Sequence, residues 1–366
     1  MKPTSETELA QMVAGLTGAV RITGGGTRGV EGPGQVIETG GMTGITLYEP
    51  GALTLVAQAG TPLAEVEAAL EAEGQQLAFE PMDHRSLLGT QGEPTIGGVV
   101  AANISGPRRI QAGACRDFLL GVRYVDGTGQ VIKSGGRVMK NVTGYDLVKL
   151  ICGSWGTLGV LTEVSLKVLP KPEHTATLSV TVSNAEAAIK TLSAALRSPF
   201  EVTGAAYDPE CEKAFVRVEG FADSVAYRTE RLTSELSGFG QIANVDEPAT
   251  LWTATRDVHA FRGKAGDVWR LSVTPGDAPM IAARAEAEQV FYDWGGGLIW
   301  LRLPAGTDLR ARLGTFSGHA TLVRGDAETV ERLGRFQPES VAIQALIKGI
   351  RAKFDPRGLF NPGLMG

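Results

Sequence analysis

Hydrophobic positions recur along this chain with two different periods, and each change of period marks an element. A helical spacing over 6–16 gives way to a β-branched run at 19–23, which enters Gly24 Gly25 Gly26 Thr27 Arg28 Gly29. A strand pattern at 53–59 stops at Gly60. Thr61 is then expected to be an N-cap and Pro62 the first helical residue, with Leu63, Val66 and Leu70 on one stripe and Gly74 as the stop. The runs 122–125 and 130–132 flank Asp126 Gly127 Thr128 Gly129, a hairpin signal. Beyond about Pro172 the texture becomes evenly charged. Strands are expected at 177–183, 213–219, 268–274 and 298–303, and helices at 184–197 and 223–236. Two runs of strand, helix, strand hint at a duplication, and short connections favour an antiparallel sheet with helices on one face.

Length and charge narrow the class. A chain of 366 residues is too long for one ordinary core, so two domains with a boundary near 172 are expected. With 35 basic against 40 acidic side chains there is no electrostatic footprint for nucleic acid. Cys115, Cys152 and Cys211 are odd in number and contain no Cys-x-x-Cys pair, which argues against a disulfide framework, a zinc site or an iron–sulfur site and fits a reducing cytoplasm. His174, His259 and His319 are scattered, so no metal is expected. Residues 1–6 lack the pattern of a secretory signal, and no apolar run reaches membrane-spanning length. Docking on a membrane-associated partner remains open.

Three glycine-rich segments carry the candidate chemistry. Gly24, Gly26 and Gly29 satisfy G-x-G-x-x-G after a strand, and Glu49 stands where a ribose-binding acid would. A Rossmann unit needs a helix directly afterwards, however, and Val30 Glu31 Gly32 Pro33 Gly34 cannot continue as one. The loop is therefore read either as a nest of amides for an anion, with the Thr27 hydroxyl as a further donor, or as a plain turn. Thr95 Ile96 Gly97 Gly98, followed by small residues up to Asn103, leaves room for a ring system or for a tight helix contact. Gly153, Gly156 and Gly159, spaced by three before a β-branched run, suit main chain laid along something flat or charged.

Taken in order, 24–27, Ala59 Gly60, 95–98, the Asp126 Gly127 hairpin, 153–162 and the tail Phe354 Asp355 Pro356 Arg357 Gly358 Leu359 Phe360 Asn361 Pro362 Gly363 resemble the FAD-binding domain of the p-cresol methylhydroxylase and vanillyl-alcohol oxidase flavoproteins. More closely, Ser105 Gly106 Pro107 Arg108 Arg109, Arg116 Asp117, Lys140 Asn141 Val142 Thr143 Gly144 Tyr145 Asp146 and 165–170 resemble the smaller FAD-binding subunit of bacterial three-subunit glycolate oxidases. The detailed resemblance covers about 1–172 and the last dozen residues.

The resemblance implies an α+β architecture. A two-subdomain FAD-binding domain (1–172) would be followed by an α/β cap with an antiparallel sheet (173–338), and a helix and tail (339–366) would return to the first domain. It implies that Gly24, Gly25, Gly26 and Thr27 cradle the FAD pyrophosphate, with Thr39 and Met42 in the next contact segment. Thr95, Gly97, Gly98, Asn103 and Gly106 would follow the cofactor, Gly156, Gly159 and Val160 would meet it through backbone groups, and Asn361 would close the site. Relatives that hold FAD covalently use a histidine in the first glycine loop. Residues 23–29 contain none, so non-covalent FAD is expected.

By the same resemblance the chain works with a larger FAD-binding subunit and an iron–sulfur subunit, in the cytoplasm or at the inner face of the membrane through those partners. It would oxidise glycolate or another small 2-hydroxy acid, or relay its electrons through FAD. The alternatives are a non-catalytic assembly subunit and a nicotinamide-dependent dehydrogenase, the latter disfavoured by the missing helix. Oxidising a 2-hydroxy acid needs a cation for the carboxylate and a base for the hydroxyl proton. Arg108 or Arg109 is the candidate clamp and His84 or His259 the candidate base. Each has a purely structural alternative, as a loop-bracing arginine or a polar histidine.

Overall fold

The computed structural model describes residues 1–137 and 145–365, so the Lys140 to Gly144 part of the glycolate oxidase motifs lies outside the described residues. The chain divides into two compact units, one made of Met1–Ser105, Gly113–Lys171 and Pro338–Gly366, the other of Gly106–Ala112 and Pro172–Gln337. The excursion of Gly106–Ala112 into the second unit has no counterpart in a single boundary at 172.

In the first unit, β1 (Val20–Thr23) and β2 (Gln35–Glu38) pair in parallel, and Phe360 of the tail bridges Val20 in parallel on the same strand. β3 (Ile45–Glu49) and β4 (Thr54–Gln58) open the main sheet, and β5 (Gln75–Gln76) follows apart from it. β6 (Leu119–Val125) and β7 (Val131–Gly135) make the expected hairpin, with Asp126 Oδ1 accepting from the amides of Thr128 and Gln130 at 2.8 and 3.0 Å. β8 (Val160–Lys167) completes an antiparallel sheet in the order β3-β4-β8-β6-β7, and β9 (Leu169–Pro170) pairs with β5. β4 and β8 are inner strands and mostly buried, whereas the edges β3 and β7 are half-polar.

Thr61 is not the N-cap expected of the next helix, which runs Leu63–Ala72 with Pro62 at its cap and no side-chain cap bond. The Thr61 hydroxyl instead donates to Gln58 O at 2.7 Å and accepts from the Gly44 amide at 3.0 Å. The constraint that decides its place is tertiary: Pro62 forms an isolated antiparallel bridge with Thr95.

The helix Glu6–Gly15 buries Leu9 and Val13 against Val20, Ile37, Val160 and Phe360. At its C-terminal end the cap amide of Leu16 donates to Val13 O at 3.2 Å, and Arg357 of the tail adds a charged donor, bonding Val13 O at 2.6 Å and Leu16 O at 3.0 Å while also reaching Gly127 O at 2.7 Å. At the other end Glu6 accepts from Arg123 Nε at 3.1 Å and Thr162 Oγ1 at 2.6 Å, tying the helix to β6 and β8.

The second unit holds β10 (His174–Thr181), β11 (Gly204–Asp208), β12 (Lys213–Gly220), β13 (Ile242–Asn244), β14 (Asp267–Val273), β15 (Gln289–Asp293), β16 (Leu298–Leu303) and β17 (Gly318–Arg324). They form one antiparallel sheet in the order β13-β10-β12-β11-β15-β16-β14-β17. Helices Ala185–Arg197 and Ala222–Leu236 follow the first and third strands of one half, and Ala278–Ala285 and Leu309–Leu313 take the same places in the other. Each half is therefore strand, helix, strand, strand, helix, strand, and the second half mirrors the first across β11 and β15. At that seam Tyr207 pairs with Tyr292, their ring centroids 5.5 Å apart, and each is followed by an aspartate. The apolar faces of the strands and helices share one core, among them Val216, Trp269, Leu271, Leu301, Leu192 and Leu232. Among the described residues no helix is long and apolar enough to cross a membrane.

The Glu6 contacts make an acid-sensitive joint. Burial raises the Glu6 carboxyl, but hydrogen bonds from Arg123 and Thr162 and the Arg123 charge outweigh it, so the folded value lies below the usual one. The unfolded chain takes up that proton near the ordinary glutamate value, about 4.3. The contribution is thus full above that pH and is lost as pH falls through the folded value. Glu6→Gln should lower stability by about 0.5–1 kcal/mol at neutral pH and converge with the parent protein in acid. Urea midpoints measured from neutral to acid pH check this, and a gap that stays constant would contradict it.

Candidate functional site

A groove open to solvent runs through the first unit. One wall is the loop after β1, contributing Gly24, Gly25, Gly26 and Thr27. Among the described residues the amides of Gly25, Gly26 and Thr27 donate to no protein acceptor, which leaves a row of main-chain donors for an anion. The loop can lie there only without side chains. An ideal Cβ on Gly25 would stand 1.6 Å from the carbonyl oxygen of Glu93.

The facing wall is the short helix Ile96–Ala101, capped by Thr95 Oγ1 on the Gly98 amide at 3.2 Å. Thr95, Gly97 and Gly98 line the groove, and so do Ala101 and Ala102. The tight-contact reading of this segment is met at one position. Gly97 is the tight contact, its amide 2.8 Å from Ala59 O and an ideal Cβ 2.5 Å from that same oxygen, and its neighbour Gly98 lies beside Arg28.

Sequence position alone does not single out Arg28, although it stands directly after the glycine run. It is the cation that lines the groove, and its Nη1 donates to Gly98 O at 2.8 Å while its Nε is buried without a hydrogen-bond partner. Burial pushes its guanidinium down to about 10, partly offset by Cys115 and Asp83. It therefore remains charged at neutral pH, beside free amides and with an unused donor.

The third wall comes from the segment before β8. Ser154, Trp155, Gly156, Gly159 and Leu161 line the groove, whereas the Val160 side chain turns into the core with Val20 and Val125. Asn361 and Leu364 close the groove from the tail. The Asn361 side chain accepts from the Ile22 amide at 2.8 Å and donates to Trp155 O at 2.7 Å, so one amide holds two walls together. Its own main-chain amide donates to Val20 O at 3.0 Å.

Of the remaining residues singled out from the sequence, Thr39 lines the groove, and Met42, Asn103 and Gly106 do not. Met42 is buried in the apolar core beneath the groove. Asn103, at φ +50°, braces the backbone, its Oδ1 accepting from the Arg116 amide at 3.0 Å. Gly106 belongs to the second unit, where its carbonyl accepts from Trp294 Nε1 at 3.0 Å.

The four candidate catalytic side chains also lie outside the groove lining. His84 is buried, with Nδ1 3.3 Å from Met82 O, in a loop held by the Asp83–Arg85 ion pair at 2.9 Å. Arg108 is committed to Glu219 at 2.8 Å, both side chains nearly buried, which removes it as a free clamp. Arg109 sits over the Trp294 ring at 4.7 Å, and His259 is exposed at the start of the short turn His259–Phe261. Among the described residues no group of histidine, cysteine and carboxylate side chains could hold a metal ion.

The groove thus combines a row of main-chain amides without protein acceptors with a wall of glycines and small side chains. Residues 1–135 match the family model described as an FAD binding domain. Over 335 residues, 91% of this chain and 87% of the relative, the sequence is 37% identical to glycolate oxidase subunit GlcE of Escherichia coli (strain K12). Over 169 residues, 46% of this chain and 34% of the relative, it is 37% identical to glycolate oxidase subunit GlcD of Bacillus subtilis (strain 168). A solved alkyldihydroxyacetonephosphate synthase matches all of this chain and 77% of its own at a TM-score of 0.73 and 16% identity, a likeness of fold alone.

Asn361→Ala would remove the acceptor for the Ile22 amide and the donor to the Trp155 carbonyl. Losing such partly buried bonds costs about 2 kcal/mol, so the urea midpoint should fall accordingly. Asn361→Asp, which keeps the acceptor for Ile22 but turns an oxygen toward Trp155 O, should fall between. An unchanged midpoint for the alanine variant would contradict the bridging role.

Proposed function

The chain belongs to the glycolate oxidase subunit GlcE family of FAD-dependent oxidoreductases acting on 2-hydroxy acids, and from that premise we propose that it holds FAD non-covalently in the glycine-lined groove. The observation that carries the reading is the convergence of unpaired loop amides, the Arg28 cation and the glycines Gly97, Gly98, Gly156 and Gly159 in one groove. Residues 24–27 and Arg28 would hold the diphosphate, the amides as dipoles and the guanidinium as a charge-assisted donor. The cleft between Gly98 and Gly156 suits a planar ring. Asn361 would keep the walls at a fixed separation. Residues 23–29 offer no histidine for a covalent link. The loop after β1 does not run into a helix, unlike the nicotinamide-binding Rossmann turn.

FAD, when bound, supplies a two-electron acceptor for a hydroxy acid. The chain would serve as one flavin subunit of a complex that converts glycolate to glyoxylate, either oxidising the acid itself or passing on its electrons. The names of its relatives speak of subunits, and three cysteines without cluster spacing fit electrons leaving to an iron–sulfur partner. The second unit would form the substrate side. A peripheral position at the inner membrane face would then come from those partners.

The full-length chain should purify with a two-band flavin spectrum, and denaturation should release all of the flavin. Gly25→Val should purify folded but with at least about a tenfold loss of flavin affinity, since its side chain would displace the loop from Glu93. A colourless parent protein that takes up no added FAD would sink the proposal, as would a Gly25→Val variant of full flavin content.

A further inference from the structure

The strands of the second unit place one side chain in two against the helical core, and the others form the opposite face of the sheet. On β14, Trp269 and Leu271 belong to the core, so Arg270 between them stands on that opposite face. Its register partners are Trp300 on β16 and Thr321 on β17, and Phe291 on β15 stands opposite Trp300. In the next row Ser272 faces His319. An arginine therefore stands in a row with two aromatic rings and a hydroxyl, with a second hydroxyl and an imidazole one row away.

Trp294, just after β15, gathers the charges. The Arg270 guanidinium lies 5.0 Å from the centre of its ring and that of Arg109 4.7 Å from the same centre. The indole is fixed at both ends, by Nε1 on Gly106 O at 3.0 Å and by Asp293 Oδ1 on its amide at 2.7 Å. The neighbouring arginines on this face differ, because Arg108 and Arg217 share Glu219 at 2.8 and 3.4 Å. Among the described residues Arg270 has neither a hydrogen bond nor a carboxylate within ion-pair distance. Burial and the like charge of Arg109 push its guanidinium down to about 10, and the Asp293 charge offsets only part of this. A desolvated cation with five unused donors beside a second cation is poised to take an anion.

We propose that Arg270, walled by Trp294 and Trp300, is the carboxylate-binding residue for a small 2-hydroxy acid or its 2-oxo acid product. The inference rests on the 2-hydroxy acid chemistry proposed above. The planar guanidinium matches a carboxylate through two parallel bonds, a pairing that tetrahedral oxyanions also accept, so preference for a hydroxy acid over sulfate must come from the groups around it. The aromatic walls admit a short carbon chain, and the Thr321 and Ser272 hydroxyls offer partners for its oxygen.

The test is titration of the full-length chain with glycolate, D-lactate and glyoxylate, and with sulfate as the non-carboxylate anion, followed by calorimetry and tryptophan fluorescence. Arg270→Met should weaken carboxylate binding by about ten- to a hundredfold, the range expected for losing hydrogen bonds to a charged group. Its flavin content should match the parent, because Arg270 does not line the groove. Should that variant fail to fold, the parent protein itself carries the test: glycolate should protect Arg270 from an arginine-directed dicarbonyl reagent, read by peptide mapping. Parent protein that binds no carboxylate, a folded variant that binds as the parent does, sulfate that binds as tightly as glycolate, or Arg270 modified equally with and without glycolate would each overturn the proposal. A chain loaded with FAD that shows no titration overturns this inference alone, whereas one that titrates but takes up no FAD overturns the reading of the groove.

Discussion

Main chain packed directly on main chain is the constraint on which the groove depends. Between the loop after β1 and the segment 92–98 there is no room for a Cβ at Gly25, and between Ala59 and the short helix there is none at Gly97. Two glycines thus permit approaches that any side chain would prevent. The donors that face a ligand are accordingly backbone amides, whose positions are set by the sheet and not by rotamers. A surface of main-chain donors would serve any acceptor-rich ligand and says little about the chemistry done beside it.

This separation explains which parts of the chain could be read from sequence. Glycine spacing is a local property, and it located the three walls of the groove at 24–27, 95–98 and 156–159. The side chains of Met42 and Asn103, which do not line the groove, occupy neighbouring positions where a turn of the backbone decides between groove and core. Arg28 could not be picked out, because nothing in its local spacing separates a groove-lining cation from a solvated one. Thr61 looked like a helix cap because capping is a short-range rule, and the pairing of Pro62 with Thr95 overrode it.

The second unit was legible only in outline. Its alternating strands announced an antiparallel sheet, but the mirror order of the two halves requires pairings between strands far apart in sequence. One local trace of the repeat exists, the Tyr-Asp pair that closes both β11 and β15, and it is too short to stand out before the seam is seen. The charges on the face opposite the helices are harder still. Arg109, Arg270 and Trp294 come from three separate segments, and Arg108, one of the two clamp candidates, is neutralised by a glutamate more than a hundred residues away.

Asn361 has a consequence for the order in which the protein is made. The loop after β1 and the wall before β8 leave the ribosome early, and the side chain that bridges them follows only after every strand of the second unit has been synthesised. A nascent chain therefore carries two walls of the groove with no clasp between them. The finished geometry of the groove is in this way linked to synthesis of the whole chain, so that a truncated translation product would lack the bridge.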